Sequence, residues 1–495
     1  MSILNVLSSR YSELDAVQPK DTESSVKRFP PSGISVLIVG AGTSGVFAAL
    51  ECWRKGHEVR IIEKEPEPSQ LAGDAYSIGP SAIRAFKSYP GMLETNDKVS
   101  YDPWLVYHKH TGEKMTPPIS VFGESKHSDV PSRMHRHLRP RFQKMLLDHL
   151  ENIGVKIEWD KHVVEYFEDI DAGKGGVLLS DNERIESNLV IAADGVGTKS
   201  YKIVTETPTP AKSSGYSLYR TAFPLKYVES DETLIKRFPE WEDGKRVLET
   251  WTGPDMHGFV WRTDERMIWS ITHRNTGTAE ESWSTVVNKE DVLKFTATIP
   301  DWPEERTRLI KATPEGAITD FKLVWRDPQP QWVSPGGRVV QIGDAAHTFL
   351  PSSGNGATQG IEDAISLAAC LHIAGRNNIP IAVKVHNLLR CERVNCAQLM
   401  GCVAQTNRHT LDWKVVNGDK DHLKKTRRYG RWIWSHDAEM YAYENYGKAL
   451  MHLTTGTPFQ NTNIPPGYTC KPWTIADVLN KREAGESLLS VGDWS

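Results

Sequence analysis

The chain has 495 residues, which exceeds the length of one compact core and predicts more than one domain. Hydrophobic residues make up 39% and charged residues 25%, and the net charge of -4 comes from acids and bases mixed along the chain. This composition is typical of a globular enzyme and gives no electrostatic reason to expect nucleic acid or an anionic membrane as a partner.

The first 33 residues predict a flexible N-terminal arm. They are polar, and their one apolar cluster, Ile3 to Leu7, is too short for a signal-peptide core and lacks a basic flank. No stretch of the sequence approaches the roughly 20 apolar residues that span a bilayer. We therefore expect a cytoplasmic protein with no membrane span.

Cysteine, histidine and tryptophan usage gives three further expectations. The six cysteines form no CxxC pattern, which favours reduced thiols packed in helices over disulfides or metal ligands. His135 and His137 have no further ligands nearby in sequence, so we interpret them as solvated residues at a helix start and expect no metal. Of the 16 tryptophans, eight lie between residues 241 and 332. Core packing is expected for each, but as a group they favour a flat, aromatic substrate.

Residues 34–63 have the pattern of a βαβ unit. Val36 to Val39 is a continuous β-branched and aliphatic run, typical of a buried parallel strand, and Val59, Ile61 and Ile62 indicate a second strand. Between them, Val46 to Arg54 has helical apolar spacing, and Gly56 is a stop signal.

The sharpest signal in this unit is Gly-Ala-Gly-Thr-Ser-Gly at residues 40–45. Gly40 permits the tight turn, Gly42 lets a pyrophosphate approach the backbone, and Gly45 lets the helix pack on the strand. The helix N-terminus offers free N–H groups to phosphates, and Glu63 stands where an acidic residue accepts from a ribose hydroxyl. The motif predicts dinucleotide binding without separating FAD from NAD(P).

Later segments predict two kinds of structure. An amphipathic helix is expected at Arg136 to Leu150, and a buried strand at Leu189 to Ala193. From about 205 to 333, polar and apolar residues alternate as in an antiparallel sheet with one covered face. The buried-strand pattern returns at Arg338 to Ile342, and two helices are expected to follow it.

A second glycine-rich segment follows that last strand. Its candidate cofactor residues are Asp344, Pro351, Gly354, Gly356 and Ala357. A carboxylate at a strand end can accept from a ribityl hydroxyl, and N–H groups at a helix start stabilise negative charge on an isoalloxazine. Because only one GxGxxG follows a strand, no second Rossmann domain for a nicotinamide is predicted.

In this order the segments resemble the aromatic-hydroxylase class of single-component FAD monooxygenases, the family of 4-hydroxybenzoate and salicylate hydroxylases. The resemblance covers roughly residues 34 to 400 and includes the two glycine motifs and Asp194-Gly195. It places Arg139 where the family contacts FAD phosphate or ribose. It also places Gly73-Asp74-Ala75-Tyr76 at the family's flavin-proximal loop, which makes Ala75 a candidate contact. The segment Trp432 to Asp437 looks like that of fungal secondary-metabolite members.

The resemblance implies an α/β fold in which a Rossmann-type FAD-binding domain is interleaved with a mainly antiparallel β-sheet substrate domain, followed by a helical or irregular C-terminal extension. The implied division is a flexible arm at 1–33, the first part of the FAD-binding domain with inserted substrate-domain strands at 34–204, the substrate domain at 205–333, the last part of the FAD-binding domain at 334–405, and the extension at 406–495.

The chemistry that the resemblance implies is oxygen transfer. NAD(P)H reduces the flavin and leaves, O2 forms a C4a-hydroperoxide, and its distal oxygen passes to an aromatic small molecule such as a phenol, indole alkaloid or polyketide. Arg220 matches an arginine that often faces the flavin, and it is the candidate catalytic residue. Tyr219 then points to the opposite face of a regular strand. His257, His273 and His436 are weaker acid–base candidates.

Several alternatives stay open at this level. Hydroxylation, epoxidation and Baeyer–Villiger insertion use the same oxygenating species, and a salicylate-like catabolic hydroxylase shares the motifs. A flavoprotein-fold binding module is the non-enzyme alternative, which the paired glycine loops disfavour. The sequence does not select NADH or NADPH, the exact substrate or the oligomeric state.

Overall fold

The computed structural model describes residues 25–67, 75–120, 133–205, 212–253, 256–275, 286–409, 430–486, 489 and 491–494. Most of the expected N-terminal arm, Gly73 and Asp74 of the expected flavin-proximal loop, and Trp283 lie outside these residues. None of the helices in the described ranges has the length and hydropathy that a membrane span needs.

The strands are numbered in chain order. They are β1 (Ser35–Val39), β2 (Glu58–Ile62), β3 (Ala75–Ile78), β4 (Ser100–Tyr101), β5 (Trp104–Lys109), β6 (His135–Leu138), β7 (Ile157–Glu158), β8 (Val163–Asp169), β9 (Lys174–Leu179), β10 (Arg184–Ser187), β11 (Leu189–Ala192), β12 (Lys212–Pro224), β13 (Trp241–Glu242), β14 (Lys245–Gly253), β15 (Met256–Arg262), β16 (Arg266–Arg274), β17 (Val286–Val287), β18 (Ile318–Trp325) and β19 (Val339–Gln341).

The α-helices are numbered in the same way. They are α1 (Thr43–Arg54), α2 (Pro80–Ile83), α3 (Met92–Val99), α4 (Arg139–Asn152), α5 (Tyr201–Val204), α6 (Glu232–Arg237), α7 (Lys289–Thr296), α8 (Glu304–Ala312), α9 (Gly356–Ala374), α10 (Ile379–His409), α11 (Arg431–Trp434), α12 (Ala438–Thr455) and α13 (Ile475–Glu483).

A parallel sheet forms the centre of the molecule, with strand order β19-β11-β1-β2-β7. Val36 of β1 stands opposite Val59 of β2 and Leu189 of β11. The predicted βαβ unit is confirmed: β1, α1 and β2 follow one another, and their apolar runs are buried because helices and a second β layer cover both faces.

The second large sheet is mainly antiparallel and has the order β13-β14-β15-β16-β12-β18-β17, with β5 pairing in parallel with β14. The strands predicted between 205 and 333 are present with slightly wider bounds. Helices α6 to α8 cover one face of this sheet, where Trp251 and Trp269 are fully buried. The opposite face turns toward β3, β6 and the segment around Leu350.

The start of the helix predicted at Arg136 is wrong. Residues His135–Leu138 form strand β6, which pairs with β3, and α4 begins at Arg139 with a proline in its first turn. His135 and His137 are therefore buried strand residues, not solvated helix-start residues. Burial lowers the pKa of each imidazole to about 3. The pairing partner of β6 lies some 60 residues away, so local periodicity did not reveal it.

The tryptophans and cysteines serve mainly the core. Trp251, Trp261, Trp269 and Trp332 are almost fully buried, as expected for core packing, whereas Trp241 is half exposed. All six cysteines are free thiols. Five lie in α1, α9 and α10, but the sixth, Cys470, lies outside the helices, so the expectation that all six pack in helices is wrong for this residue.

Helices α9 and α10 run through the main core, and α12 of the C-terminal segment packs on them through Ala442, Tyr446 and Ala449. Helix α9 begins at Gly356, whereas the sequence pattern predicts a helix that starts at about residue 360. Glycine has low helix propensity, and this one starts the helix because the preceding loop sets the chain direction. The C-terminal segment is thus joined to the layer that carries the second glycine loop.

Candidate active site

The first glycine turn has the geometry that its three glycines predicted. Gly40 has a φ of +101°, and a β-carbon there would stand 2.5 Å from the carbonyl oxygen of Ala193. A β-carbon at Gly45 would overlap the carbonyl oxygen of Gly40, so α1 packs on the turn only with glycine at this position. At Gly42 a β-carbon would meet no protein atom within 4 Å, which leaves the backbone open to an approaching group.

The N-terminus of α1 is open to an anion. Gly42 is its N-cap residue, no side chain caps the first turn, and no acidic residue lies in that turn. The free N–H groups and the helix dipole together favour a phosphate here. Glu63 lies beside the turn, where its Oε2 accepts from the N–H of Ala41 at 2.6 Å. This places a carboxylate next to the phosphate-binding backbone.

Asp194 packs against the first glycine turn. Its Cα would lie 3.0 Å from a β-carbon on Gly40, and its Oδ2 accepts from the hydroxyl of Tyr166 at 2.7 Å. Burial raises the pKa of Asp194, and the hydroxyls of Thr198 and Tyr166 oppose that rise. The structure thus brings the Asp194-Gly195 motif into contact with the glycine turn, 150 residues earlier in the chain.

The start of α4 and strand β3 lie against the same turn. Gln143 of α4 donates from Nε2 to the carbonyl oxygen of Ala41 at 2.7 Å. The hydroxyl of Tyr76, next to Ala75 in β3, is 3.3 Å from Oγ1 of Thr43. Arg139 is the first residue of α4, and it is half-buried.

Asp344, from the far end of the chain, lies beside the first glycine turn, since a β-carbon on its neighbour Gly343 would overlap Ser44. The surface formed by the two glycine turns with Glu63, Arg139 and Asp344 is called the cleft below. The side chain of Asp344 is exposed to solvent although protein surrounds it, as expected on the wall of a concave surface. Those surroundings raise its pKa, while His347, Arg139 and Arg326 act in the opposite direction. Arg139 and Asp344 are therefore close enough to interact electrostatically, as their assignment to one cofactor requires.

The second glycine loop gives a second open helix N-terminus. Pro351 starts a short 3-10 helix, and Gly354 follows it with a φ of +59°. Helix α9 then begins at Gly356, and its N-cap residue Asn355 makes no side-chain capping hydrogen bond. Ala357 is half-buried in the first turn. The backbone N–H groups of this turn are available to a ligand with negative charge.

Sequence reasoning missed the contact that joins the two glycine segments. Ser44 of α1 stands so close to Gly343 and Gly360 that a β-carbon on either glycine would overlap its side chain. The sequence does contain a signal for this contact, namely Gly360 inside a predicted helix. A glycine within a helix usually has a packing reason.

A buried ionic network behind the second loop was also missed. Arg390 donates from Nη1 to Glu362 at 2.6 Å and from Nε to Asp363 at 2.9 Å, and Arg393 donates from Nε to Glu362 at 2.8 Å. Burial alone would raise the pKa of Glu362, but Arg393 and Arg390 outweigh it and hold the pKa well below its ordinary range. Two adjacent acidic residues inside an apolar helical stretch were the available signal.

The network also fixes the Gly343-Asp344 turn. The carboxylate oxygen Oδ2 of Asp363 accepts from the N–H of Gly343 at 3.0 Å and is 2.5 Å from Nε2 of His347. Burial would raise the pKa of Asp363, but His347 and Arg390 hold it well below its ordinary range. A permanently charged carboxylate thus holds the turn that carries Asp344.

Arg220 lies on the face of β12 that turns toward this cleft. Leu218 and Ala222 share that face, since side chains alternate along a strand. Leu218 packs in one cluster with Leu350, next to the second glycine loop, and Ala222 packs in another with Ala75 of β3. Burial lowers the pKa of the Arg220 guanidinium to about 9, so it stays charged at neutral pH.

The neighbours of Arg220 separate the weaker candidates. Tyr219 stacks on His273, with ring centroids 3.9 Å apart, on the opposite face of the sheet. His273 is therefore directed away from the cleft and is 2.9 Å from a carboxylate oxygen of Asp320. His257 approaches Thr272, which stands opposite Leu218, and so lies on the Arg220 side.

His436 belongs to the ionic network rather than to the cleft wall. Its side chain is buried, and burial together with the charge of Arg393 holds its pKa well below the ordinary value.

In the described part of the chain, no group of three or more His, Cys, Asp or Glu side chains is arranged so that it could hold a metal ion.

These groups fit FAD. Two uncapped helix N-termini, an open glycine backbone at Gly42 and the carboxylates of Glu63 and Asp344 line one cleft. Such a set suits a ligand with a central pyrophosphate, hydroxylated chains on both sides and a ring that carries negative charge.

Comparison with known proteins gives the same assignment. The FAD binding domain family matches residues 33–377. The FAD-dependent monooxygenase dmxR9 of Cryptosporiopsis sp. (strain 8999) is 42% identical over 479 residues, which cover 95% of this chain and 91% of that relative. The chain belongs to the FAD-dependent monooxygenases.

Solved structures of other proteins share the fold. The structure of CtdE in complex with FAD and substrate 4 has a TM-score of 0.75 at 27% identity and covers 85% of this chain and 100% of that one. A salicylate hydroxylase substrate complex has a TM-score of 0.65 at 22% identity, covers 83% of this chain and 97% of that one, and supports the fold alone.

The predicted family of FAD-dependent monooxygenases is thereby confirmed. The protein is an FAD-dependent monooxygenase with a mixed α/β fold, and FAD is its cofactor.

Proposed function

We propose that this FAD-dependent monooxygenase uses NAD(P)H and O2 to hydroxylate or epoxidise an aromatic small molecule, such as a phenol, indole alkaloid or polyketide, in secondary-metabolite biosynthesis. The observation that carries the proposal is that the two glycine segments pack on each other through Ser44. Arg220 shares its face of β12 with Leu218 and Ala222, which pack near Leu350 and Ala75. The division of the chain at residues 33, 204, 333 and 405 is part of the same proposal.

Residues of the first segment hold the cofactor's nucleotide half. The backbone at Gly40, Gly42 and Gly45 and the N-terminus of α1 bind the pyrophosphate, and Glu63 accepts from a ribose hydroxyl. The guanidinium of Arg139 adds a positive charge at the same end of the cleft.

Residues of the later segments hold the flavin half. Asp344 accepts a hydrogen bond from a ribityl hydroxyl, and Asp194 supports the first glycine turn. The N–H groups of the loop from Pro351 through Gly354 to Gly356 and Ala357 would stabilise negative charge on the bound flavin, and Ala75 would be a further contact. When bound, FAD supplies the redox chemistry by taking reducing equivalents from NAD(P)H and activating O2.

The role of Arg220 is to bind an anionic or developing-anionic oxygen of the substrate. A guanidinium is planar and stays charged, and the low solvent exposure here strengthens its attraction for such an oxygen. The apolar side chains of Leu218 and Ala222 on either side exclude water from the reacting atoms.

The test uses the purified full-length protein loaded with FAD. NADPH and NADH oxidation is followed in air with a panel of phenols and indoles, and the products are analysed by mass spectrometry under ¹⁸O2. We expect a panel member to accelerate nicotinamide oxidation and to gain one labelled oxygen atom. Flavin that neither nicotinamide reduces, or nicotinamide oxidation that yields only hydrogen peroxide with every aromatic tested, would contradict the proposal.

A further inference from the structure

A recess lies beside the second glycine loop. The space inside it that water-sized molecules can reach is about 50 Å³, and the recess is partly open to solvent. The walls relevant here come from Ser77 at the end of β3, Met134 before β6, Gly354 and Asn355 of the loop, and Ile433 and Trp434 of the C-terminal segment. The recess thus adjoins the groups proposed to hold the flavin ring, and the C-terminal segment closes one of its sides.

The C-terminal wall is rigidly held. Arg393, fully buried, donates from Nη1 to the carbonyl oxygen of Trp432 at 2.8 Å and from Nη2 to that of Ile433 at 2.7 Å. The same guanidinium pairs with Glu362. Because charge-assisted hydrogen bonds fix the backbone of α11, the side chain of Trp434 has a defined position at the recess.

Helix α9, which contains Glu362, also holds the opposite walls of the recess. Ser81 donates to Oε1 of Glu362 at 2.7 Å, and the N–H of Gly79 donates to Oγ1 of Thr358 at 2.8 Å. Helix α9 begins at the second glycine loop, so the loop, the end of β3 and the C-terminal segment form one connected frame around the recess.

We propose that Trp434 is a specificity-determining residue: its indole, with Ile433 and Met134, forms the apolar wall against which the aromatic ring of the substrate packs beside the second glycine loop. This inference rests on the proposed function. It gives the C-terminal segment a direct part in the active site, in addition to its packing on α9 and α10.

The chemistry of the recess favours the substrate over the nicotinamide cosubstrate. Among the described residues that line it none is cationic, so a pyrophosphate has no partner there. An indole face, branched aliphatic side chains and a thioether suit a flat aromatic ring, and Ser77 and Asn355 offer polar groups at its edge.

The test measures the binding of 1-naphthol, a two-ring phenol, to the FAD-loaded enzyme through its perturbation of the flavin absorption band. Trp434→Ala should raise the Kd for 1-naphthol about 10-fold, and Trp434→Phe by less, since aromatic packing contributes on this scale. Trp432→Ala is the matched control. Trp432 lies in the same helix and is equally buried, but it packs on Trp494 instead of lining the recess.

A second measurement does not depend on the probe. Acrylamide quenching of the flavin fluorescence should increase in Trp434→Ala and stay unchanged in Trp432→Ala, because only the first change opens the recess. An unchanged Kd for 1-naphthol in Trp434→Ala would overturn the role of Trp434. If the wild type does not bind 1-naphthol, equal acrylamide quenching in the two variants would overturn it. Failure of the proposed function would show instead in the wild type, as nicotinamide oxidation without oxygenation of any aromatic.

Discussion

Ser44 packs directly against Gly360, although 316 residues separate them in the chain. This contact presses the first turn of the helix that follows the GxGxxG motif against the helix that follows the second glycine loop. The two open helix N-termini at Gly42 and Gly356 therefore have a fixed relation to each other, as a cofactor that spans both requires.

Gly360→Ala should destabilise the protein by about 1–3 kcal/mol, since the added methyl group overlaps Ser44 and separates α1 from α9. Urea unfolding followed by circular dichroism would measure this. The matched control is Gly447→Ala in α12, where a β-carbon meets no atom within 4 Å, and it should stabilise by about 0.5–1 kcal/mol. Equal stability of the two variants would contradict the packing argument.

Gly42→Ala should leave the FAD-free protein intact and weaken FAD binding. Gly42 has φ −71° and ψ −179°, which any residue adopts, and a β-carbon there touches no protein atom. The methyl group would instead obstruct the pyrophosphate, and we expect the Kd for FAD to rise by about 10-fold or more. Fluorescence titration of the FAD-free protein measures the Kd, and its melting temperature serves as the control for folding. An unchanged Kd would remove Gly42 from the cofactor site.

Arg220→Gln should reduce substrate-stimulated NAD(P)H oxidation about 100-fold while FAD binding persists, because it removes a desolvated charge from the cleft. Lys322→Gln is the control, since Lys322 stands opposite Ser217 on the other face of the sheet. Equal activities of the two variants would exclude Arg220 from the reaction.

Arg393→Met should destabilise the protein by about 3–5 kcal/mol, since it removes one of the two arginines that compensate the buried charge of Glu362. Arg60→Gln is the control. It breaks an ion pair with Glu158 in which both side chains are substantially exposed, and it should cost less than about 1 kcal/mol. Guanidinium chloride unfolding at neutral pH distinguishes these outcomes.

Stability should fall as the pH drops from about 6.5 toward 3. Burial lowers the pKa of several histidines to about 3, namely His57, His108, His135, His137 and His386. Above pH 6.5 they are neutral in both the folded and unfolded states. Below it the unfolded chain binds protons that the folded protein excludes, so each histidine should cost about 2 kcal/mol between pH 7 and pH 5.

His137→Phe is the variant that checks this linkage. Replacing the imidazole with an apolar ring should remove about 2 kcal/mol from the loss of unfolding free energy between pH 7 and pH 5. Urea unfolding at the two pH values, for the wild type and the variant, gives the difference. The same loss in both proteins would show that His137 is not held neutral in the fold.

Local patterns in the sequence predicted the first glycine turn and the strands around it, since each of these depends on residues within about 30 positions of one another. The strand β6 was assigned to a helix because its partner β3 lies far away in the chain and pairing overrides local periodicity. His135 and His137 were misplaced for the same reason.

Sequence patterns were sufficient to predict the βαβ unit, because its glycine turn has strict backbone requirements that only a few residue types meet. The family and the cofactor followed from the resemblance of the ordered motifs to FAD monooxygenases. Which distant side chains share the cleft depends on how the chain folds. The Ser44–Gly360 contact, the Glu362–Arg393 pair and the place of Trp434 beside the second glycine loop depend on chain segments that approach each other only after the helices pack. Such contacts depend on which surfaces become buried when the chain folds, so they produce no periodic pattern in the sequence.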